Sequence, residues 1–184
     1  MPATSKKRSS RSRTTTSSRR NNGRAASDAI SLLKGDHQKV RQLLRRLESK
    51  GSEELLSQIE YELKVHTQIE EEILYPAFKD SLRSERDEHL YYEALEEHHV
   101  VDLVLSEIKG TTEGSEEFDA KAKVLKDLVE HHAEEEETSM FPKARKAMGT
   151  ARLRELGEEL ESRKQELMGG VSERSSGRNR RRAA

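Results

Sequence analysis

The chain has 184 residues, of which 38% are charged and 32% hydrophobic, with no tryptophan and no cysteine. This length is enough for one domain with a core, and the abundance of Glu, Leu, Lys and Arg is typical of long solvated helices. No stretch approaches the ~18 apolar residues of a membrane span. Because cysteine is absent, thiol catalysis and iron–sulfur clusters are excluded, and any metal must bind His, Asp or Glu. We expect a cytoplasmic protein.

The net charge of −1 conceals two basic ends. Residues 1–27 carry eight Lys or Arg and no acid, and residues 171–184 carry five Arg and one Glu. Subtracting both from the totals leaves 21 basic and 34 acidic residues between 28 and 170, so the central part has a charge near −13. The ends are low in complexity, and we predict disordered basic tails over 1–27 and 169–184. No apolar segment follows the first, which is therefore not expected to be a secretory signal.

Capping residues and glycines divide the remaining domain, residues 28–168, into helices. Serines stand where helices are predicted to begin, and Ser84 with Asp87 resembles a capping box. The predicted helices run from Ser27 to about Ser49, from Ser52 to about Leu82, from Ser84 to Gly110, from Ser115 to about Met148, and from Thr150 to Gly169–Gly170. Four long helices with short connections predict an all-α, antiparallel up-and-down four-helix bundle with a short extra C-terminal helix.

Apolar residues recur every three or four positions along each long helix, as bundle packing requires. They are Ile30, Leu33, Val40, Leu44 and Leu47 in the first; Ile59, Leu63, Ile73 and Ala77 in the second; Tyr91, Ala94, Val101, Leu105 and Ile108 in the third; and Leu125, Val129 and Met140 in the fourth. Four histidines and two glutamates occupy positions of the same apolar seams, namely His37, His66, Glu70, His98, His132 and Glu136.

The pattern of these polar residues is repeated. Laying the first helix over the third places His37 on His98, and laying the second over the fourth places His66 on His132. The offset that relates His66 to His132 also relates Glu70 to Glu136. The halves therefore look like an internal duplication, which predicts a pseudo-twofold bundle whose equivalent residues face each other.

Buried carboxylates without partners cost several kcal/mol, and bound cations remove that cost. In HxxxE on a helix the two side chains share one face, so the His can bind one metal while the Glu bridges two. Imidazole and carboxylate ligands without thiolate favour iron, with manganese or zinc as possible substitutes. We therefore predict a centre of two non-haem iron ions.

The segments GDHQKVRQLL, HTQIEEEILYP, EEHHVVDLVL and HHAEEEETSMFP together resemble the hemerythrin-like HHE cation-binding domain. The resemblance covers roughly residues 28–148 and a trailing helix. It implies a four-helix bundle around two irons, with His37, His66, His98 and His132 as terminal ligands and Glu70 and Glu136 as bridges.

Two features qualify the predicted site. Oxygen-carrying hemerythrins have a second histidine four residues earlier on the third helix, where this chain has Ala94, so the resemblance implies four histidines and room for water, peroxide or another small ligand. The doubled residues of the fourth helix leave a second register open, His131 with Glu135, although the duplication favours His132 with Glu136. Tyr75 and Phe141 are interpreted as core residues beside the site.

These features favour a non-enzymatic di-iron protein that binds, stores or senses iron, oxygen or nitric oxide. One alternative is a di-iron oxidoreductase that decomposes peroxide or uses oxygen. Another is a nucleic-acid-associated iron protein acting through its tails, whose thirteen Lys or Arg can contact phosphates. The tails lack aromatic residues for base stacking, and the acidic domain would oppose docking on DNA. No phosphate-binding loop or GxSxG motif is present, and no membrane partner is expected.

Overall fold

The computed structural model describes residues 27–82 and 85–181, and throughout these ranges the regular structure is helical. A four-helix bundle with a trailing C-terminal helix confirms the predicted fold class. The elements are α1 (Ala29–Lys50), α2 (Glu53–Ile69), a π-helical turn (Glu70–Leu74), α3 (Tyr75–Ser81), α4 (Glu85–Ile108), α5 (Glu116–Glu135), a second π-helical turn (Glu136–Met140) and α6 (Phe141–Arg181). None of the described helices is both long and apolar enough to cross a membrane.

Side-chain caps define the starts of three helices. Ser52 and Ser115 cap α2 and α5, as the sequence predicted. The cap of α1 is Asp28 instead of the predicted Ser27, because the Asp28 carboxylate accepts the Ser31 N–H at 2.8 Å. A negative charge at this position also interacts favourably with the helix dipole. The predicted cap Ser84 lies outside the described residues.

Each half of the bundle contains one π-helical turn, at Glu70–Leu74 and at Glu136–Met140. The backbone N–H groups of Tyr75 and Phe141 reach five residues back, to the carbonyls of Glu70 and Glu136. A proline follows each aromatic residue and has no N–H to donate, which favours the wider turn.

The first π turn moves the apolar seam by one residue. The sequence placed Ile73 and Ala77 on the core face, but both are only partly buried. Leu74 and Phe78, one residue further along, are fully buried. This prediction was wrong because a regular α-helical period does not include the extra residue of a π turn.

The last helix begins and ends differently. Gly149 breaks α6 with φ 74° and ψ 171°, in agreement with a new helix predicted from Thr150. The helix then continues to Arg181 and does not end at the predicted Gly169–Gly170 pair. One helical glycine costs only ~1 kcal/mol relative to alanine, so a pair need not end a helix. The domain boundaries at residues 28 and 168 stay predictions, and residues 1–26 and 182–184 lie outside the described structure.

Two apolar clusters fill the core, one on each side of a polar layer. In α1, Leu33 belongs to one cluster and Val40 to the other, and His37 lies between them. In α4, Ala94 and Val101 flank His98 in the same way. The predicted metal-binding residues therefore lie in a layer between two packed apolar regions.

The C-terminal helix α6 packs on α1, α2 and α3. It lies very close to the start of α1 at Gly157, where an added Cβ would overlap the carbonyl oxygen of Ser27 and lie 2.9 Å from the Ala29 nitrogen. Glycine at this position permits the helix to lie against the start of α1. As a result, α6 covers one half of the duplicated bundle.

Candidate metal centre

The structure brings all six residues predicted as ligands together inside the bundle, and each is at most 6% exposed. The histidines form two pairs. The ring centroids of His37 and His66 are 4.8 Å apart, and those of His98 and His132 are 4.6 Å apart. The repeat found in the sequence relates the first pair to the second, residue by residue.

Each buried glutamate contacts one histidine of each pair. One carboxylate oxygen of Glu70, Oε2, lies 3.3 Å from Nε2 of His66 and 3.5 Å from Nε2 of His98. The Oε2 atom of Glu136 lies 3.1 Å from Nε2 of His37 and 3.6 Å from Nε2 of His132. Each carboxylate therefore lies between the two histidine pairs.

Several of these atoms lack a hydrogen-bond partner within the described part of the chain. They are Nε2 of His37 and of His66, both carboxylate oxygens of Glu70, and Oε2 of Glu136. Polar atoms left in this state destabilise a protein, typically by ~1–3 kcal/mol each. Donor atoms that share one metal at 2.0–2.2 Å lie roughly 3.3–3.6 Å apart in tetrahedral geometry, close to the distances above. The six side chains therefore fit two cations.

The charges of the centre also favour cations. Burial, reinforced by repulsion from Glu136, raises the pKa of Glu70 well above its ordinary value. Burial would also raise the pKa of Glu136, but the combined attraction to His132, His37 and His66 outweighs it and lowers that pKa to about 2. Burial, with the neighbouring His132, lowers the pKa of His98 to about 3, which leaves a neutral imidazole able to coordinate metal. At His132 the carboxylates of Glu136 and Glu97 outweigh burial and raise the pKa.

Every histidine of the centre has a carboxylate near its second ring nitrogen, Nδ1. The distances to Nδ1 are 3.0 Å from Glu137 to His37, 3.7 Å from Asp36 to His66, 2.8 Å from Glu71 to His98 and 2.7 Å from Glu97 to His132. Carboxylates within hydrogen-bond distance, as at His37, His98 and His132, orient a metal-binding imidazole and increase its basicity. Asp36 lies beyond that distance from His66. Because a carboxylate lies near Nδ1 of each ring, Nε2 is the nitrogen that remains available to a metal.

Sequence reasoning missed most of this outer set. It did not single out Asp36 or Glu97, and it did not distinguish Glu71 and Glu137 from the other glutamates of their runs. The duplication contained the signal, since the repeat that aligns the ligands also places Asp36 on Glu97 and Glu71 on Glu137.

Tyr75 and Phe141, which the duplication also makes equivalent, are both buried beside the centre as expected. The Phe141 ring stacks on His37 at 5.8 Å, and the Tyr75 ring stacks on His98 at 5.5 Å. The Tyr75 hydroxyl donates to Oε1 of Glu136 at 3.0 Å. One half therefore has a hydroxyl at the centre where the other has only a hydrocarbon ring.

A small cavity adjoins the four histidines and has a volume of about 20 Å³. Its other lining residues are Val40, Leu63, Thr67, Val101, Val129 and Ala133. A space of this size holds one water-sized molecule. Apart from the histidines, the lining contains no acid or base.

The other three histidines lie at the surface. His89 and His131 have side chains 73% and 71% exposed, and His99 is also exposed. The structure thus brings His132 and Glu136 into the buried layer and leaves the alternative pair, His131 with Glu135, outside it. The role of each residue as a ligand stays a prediction.

Comparison with known proteins agrees with this geometry. The family model of the hemerythrin HHE cation-binding domain matches residues 28–144. The chain belongs to this family. A crystal structure of a hemerythrin HHE cation-binding domain-containing protein from Mycobacterium kansasii has the same fold, with a TM-score of 0.68 and 29% identity, over 78% of this chain and 89% of that one.

A curated relative differs in length. A DNA nickase from Nostoc sp. is 27% identical over 146 residues, which cover 76% of this chain. The hemerythrin-like chain spans only 40% of that relative's length. The family model shows that the chain belongs to the HHE family, and the structure has two buried groups of His and Glu that could hold a metal ion.

Proposed function

We propose that the buried centre holds two iron ions, one at each histidine pair, with Glu70 and Glu136 bridging them, and that it binds a small ligand. The observation that carries this proposal is that each glutamate contacts one histidine of each pair. Imidazole and carboxylate ligands without sulfur suit iron, and they also accept manganese or zinc. When bound, such a metal pair supplies coordination and redox chemistry for dioxygen, nitric oxide or peroxide.

The protein's own residues restrict what reaches the centre. The cavity beside the histidines admits one small molecule, and its Val and Leu walls exclude larger polar ligands. The Tyr75 hydroxyl, within 3.3 Å of Nε2 of His98, is the one non-ligand proton donor found against the centre in the part of the chain that the structure describes. Because the described cavity wall offers no acid or base besides the histidines, binding is favoured over turnover of peroxide.

Metal analysis and ligand titration test this function. The full-length protein, loaded with Fe²⁺ under anaerobic conditions, should contain two irons per chain, and its absorption spectrum should change on addition of oxygen or nitric oxide. Parallel loading with Mn²⁺ and Zn²⁺ shows whether iron is preferred. A plateau at one metal per chain would contradict the proposal, and rapid evolution of oxygen from peroxide would favour the enzymatic alternative.

Two neighbouring valines offer a matched test of the cavity. Val101 lines it, whereas Val100 is 40% exposed and does not. Val101→Leu should fill the cavity and weaken nitric oxide binding while iron content stays at two per chain. Val100→Leu should change neither property. Equal nitric oxide affinity in both variants would show that ligands reach the irons elsewhere.

Association with nucleic acid is a second candidate. Thirteen Lys or Arg lie in residues 1–27 and 171–184, and a relative of this chain is a DNA nickase. Tail binding to phosphates should weaken steeply with salt. Gel-shift titration of duplex DNA should therefore show salt-dependent binding that is lost when the Lys and Arg of both ranges are replaced by Gln. Unchanged binding by that variant would eliminate the tail hypothesis.

A further inference from the structure

Glu97 connects the buried centre to the protein surface. Its Oε2 atom lies 2.7 Å from Nδ1 of the buried His132, and its Oε1 atom lies 3.6 Å from Nε2 of the exposed His131. Glu135, one helical turn after His131, completes a group whose ligand atoms all lie within 4.8 Å of one another. One imidazole and two carboxylates from α4 and α5 thus meet at the surface, a single side chain away from the buried centre.

The other half of the duplicated bundle lacks this group. The repeat makes Val65 and Ile69 the counterparts of His131 and Glu135, and both are buried and apolar. The counterpart of Glu97 is Asp36, and Lys164 of α6 forms an ion pair with it. Where one half has a lysine and a covering helix, the other has an exposed histidine and an additional carboxylate.

We propose that Glu97, His131 and Glu135 form a surface site for a divalent cation, through which metal reaches the buried centre. This proposal rests on the proposed function, since it assigns a route of metal uptake to the same centre. Imidazole with carboxylate is a donor set that Zn²⁺ and Fe²⁺ both accept. The distance of 3.6 Å between Nε2 of His131 and Oε1 of Glu97 is at the upper end of the roughly 3.3–3.6 Å expected between two ligand atoms of one tetrahedral metal.

Glu97 gives the site its connection to the interior. One of its oxygens orients His132 while the other faces the surface group, so a cation held outside lies across one carboxylate from the buried histidine pair. The local charge is negative and attracts cations, because Glu135 adds a second carboxylate to Glu97. In the covered half, Lys164 opposes a cation at the equivalent position.

Zinc binding to the iron-loaded, full-length protein tests the site. With the buried centre occupied by iron, isothermal titration and elemental analysis should show one additional Zn²⁺ per chain. His131→Ala and Glu135→Gln should each weaken that binding by more than the ~10-fold that loss of an outer-shell partner costs. Their buried iron content should equal that of the wild type.

Two neighbouring residues supply the controls. His99 and Glu134 are exposed and outside the group, so His99→Ala and Glu134→Gln make the same chemical changes nearby. Both should retain the additional zinc. Absence of an additional Zn²⁺ in the wild type, or equal affinity in all four variants, would overturn the surface site.

The route is tested by the rate of Fe²⁺ uptake into metal-free protein at limiting iron. His131→Ala and Glu135→Gln should take up iron at least several-fold more slowly than the wild type and reach the same final content. Wild-type rates in both would overturn the role in uptake. Failure of the proposed function is distinguishable, because the wild type would then fail to hold two irons before zinc is added.

Discussion

The half of the candidate centre built on His37 and His66 and the half built on His98 and His132 place the same residue types in the interior but have different surroundings. In the first half, α6 covers the site and Lys164 pairs with Asp36. The outer carboxylate of His37 is Glu137, which accepts a hydrogen bond from an arginine of α1 at 2.7 Å. In this half, Lys164 and Arg41 therefore compensate the negative charges of the two outer carboxylates.

The second half has no such compensation among the residues that the structure describes. Glu71 is exposed and forms an ion pair only with His98, and Glu97 forms ion pairs only with His131 and His132. The difference shows which features the duplication maintained. The six proposed ligands and their outer carboxylates follow the repeat, whereas the groups beyond them have diverged into a closed half and an open half.

The largest expected effect tests whether the two halves are equal at the metals. Glu70→Ala and Glu136→Ala should each lose at least one of two irons per chain, because each removes a carboxylate that contacts both histidine pairs. Glu135→Ala should retain near-normal iron at equilibrium. Iron content and thermal stability with and without metal measure this. If Glu135→Ala loses iron and Glu136→Ala keeps it, the register must be redrawn on His131.

A substitution at Gly157 tests how closely α6 packs against the closed half. An alanine Cβ there would collide with the backbone of Ser27 and Ala29, and overpacking of this kind costs typically ~1–3 kcal/mol. Gly169→Ala is the control, because open space surrounds Gly169 and helix propensity predicts a gain of up to ~1 kcal/mol. Urea denaturation measures both. Stabilisation by Gly157→Ala would show that α6 is not held closely against α1.

Tyr75→Phe makes the open half resemble the closed half, where Phe141 is the equivalent residue. Loss of the hydroxyl removes a hydrogen bond to buried Glu136, which should lower the free energy of unfolding by ~1–3 kcal/mol. Iron should be removed faster by a chelator. Tyr61→Phe, at a half-buried position away from the centre, is the control. Equal rates of iron removal from the two variants would show that the Tyr75 hydroxyl does not help to retain the metal.

The smallest effect concerns the cap that begins the closed half. Asp28→Ala should cost ~0.5–2 kcal/mol at pH 7 through loss of the cap. Burial would raise the pKa of Asp28, but hydrogen bonds from Ser31 and attraction to Arg145 outweigh it and lower that pKa. The carboxylate therefore contributes stability above its unfolded pKa, and the contribution is lost as the pH falls through the lower folded pKa.

Asp28→Asn retains a capping side chain and does not titrate. Urea denaturation at several pH values should show a stability difference between the wild type and this variant that is present at pH 7 and is lost as the pH falls through the lowered pKa of Asp28. A difference that stays constant throughout the acid range would mean that the Asp28 charge contributes nothing.

The sequence was sufficient for the bundle and for the convergence of six polar residues, because both depend on periodicity and on an internal repeat. His132 could be preferred over His131 only through the repeat, since the two are adjacent. The π turns could not be predicted, because a wide turn differs from an α-helical turn by one residue and few sequence signals mark it. For this reason the sequence placed Ile73 on the core face, whereas Leu74 is the buried residue.

The outer carboxylates were hidden by composition. Glu71 and Glu137 lie in runs of glutamates, most of whose members face solvent, and sequence alone does not show which member faces a histidine on another helix. The pairing of Lys164 with Asp36 depends on how α6 packs, which the helical period does not determine. These contacts required the three-dimensional structure.

The central claim is that two cations lie between the histidine pairs with Glu70 and Glu136 bridging them. Anomalous diffraction at the iron edge, from crystals of the iron-loaded protein, tests it most directly. We expect two buried peaks, one at Nε2 of His37 and His66 and one at Nε2 of His98 and His132, with both carboxylates between them. A single buried peak, or a buried pair that does not include both histidine pairs, would contradict it.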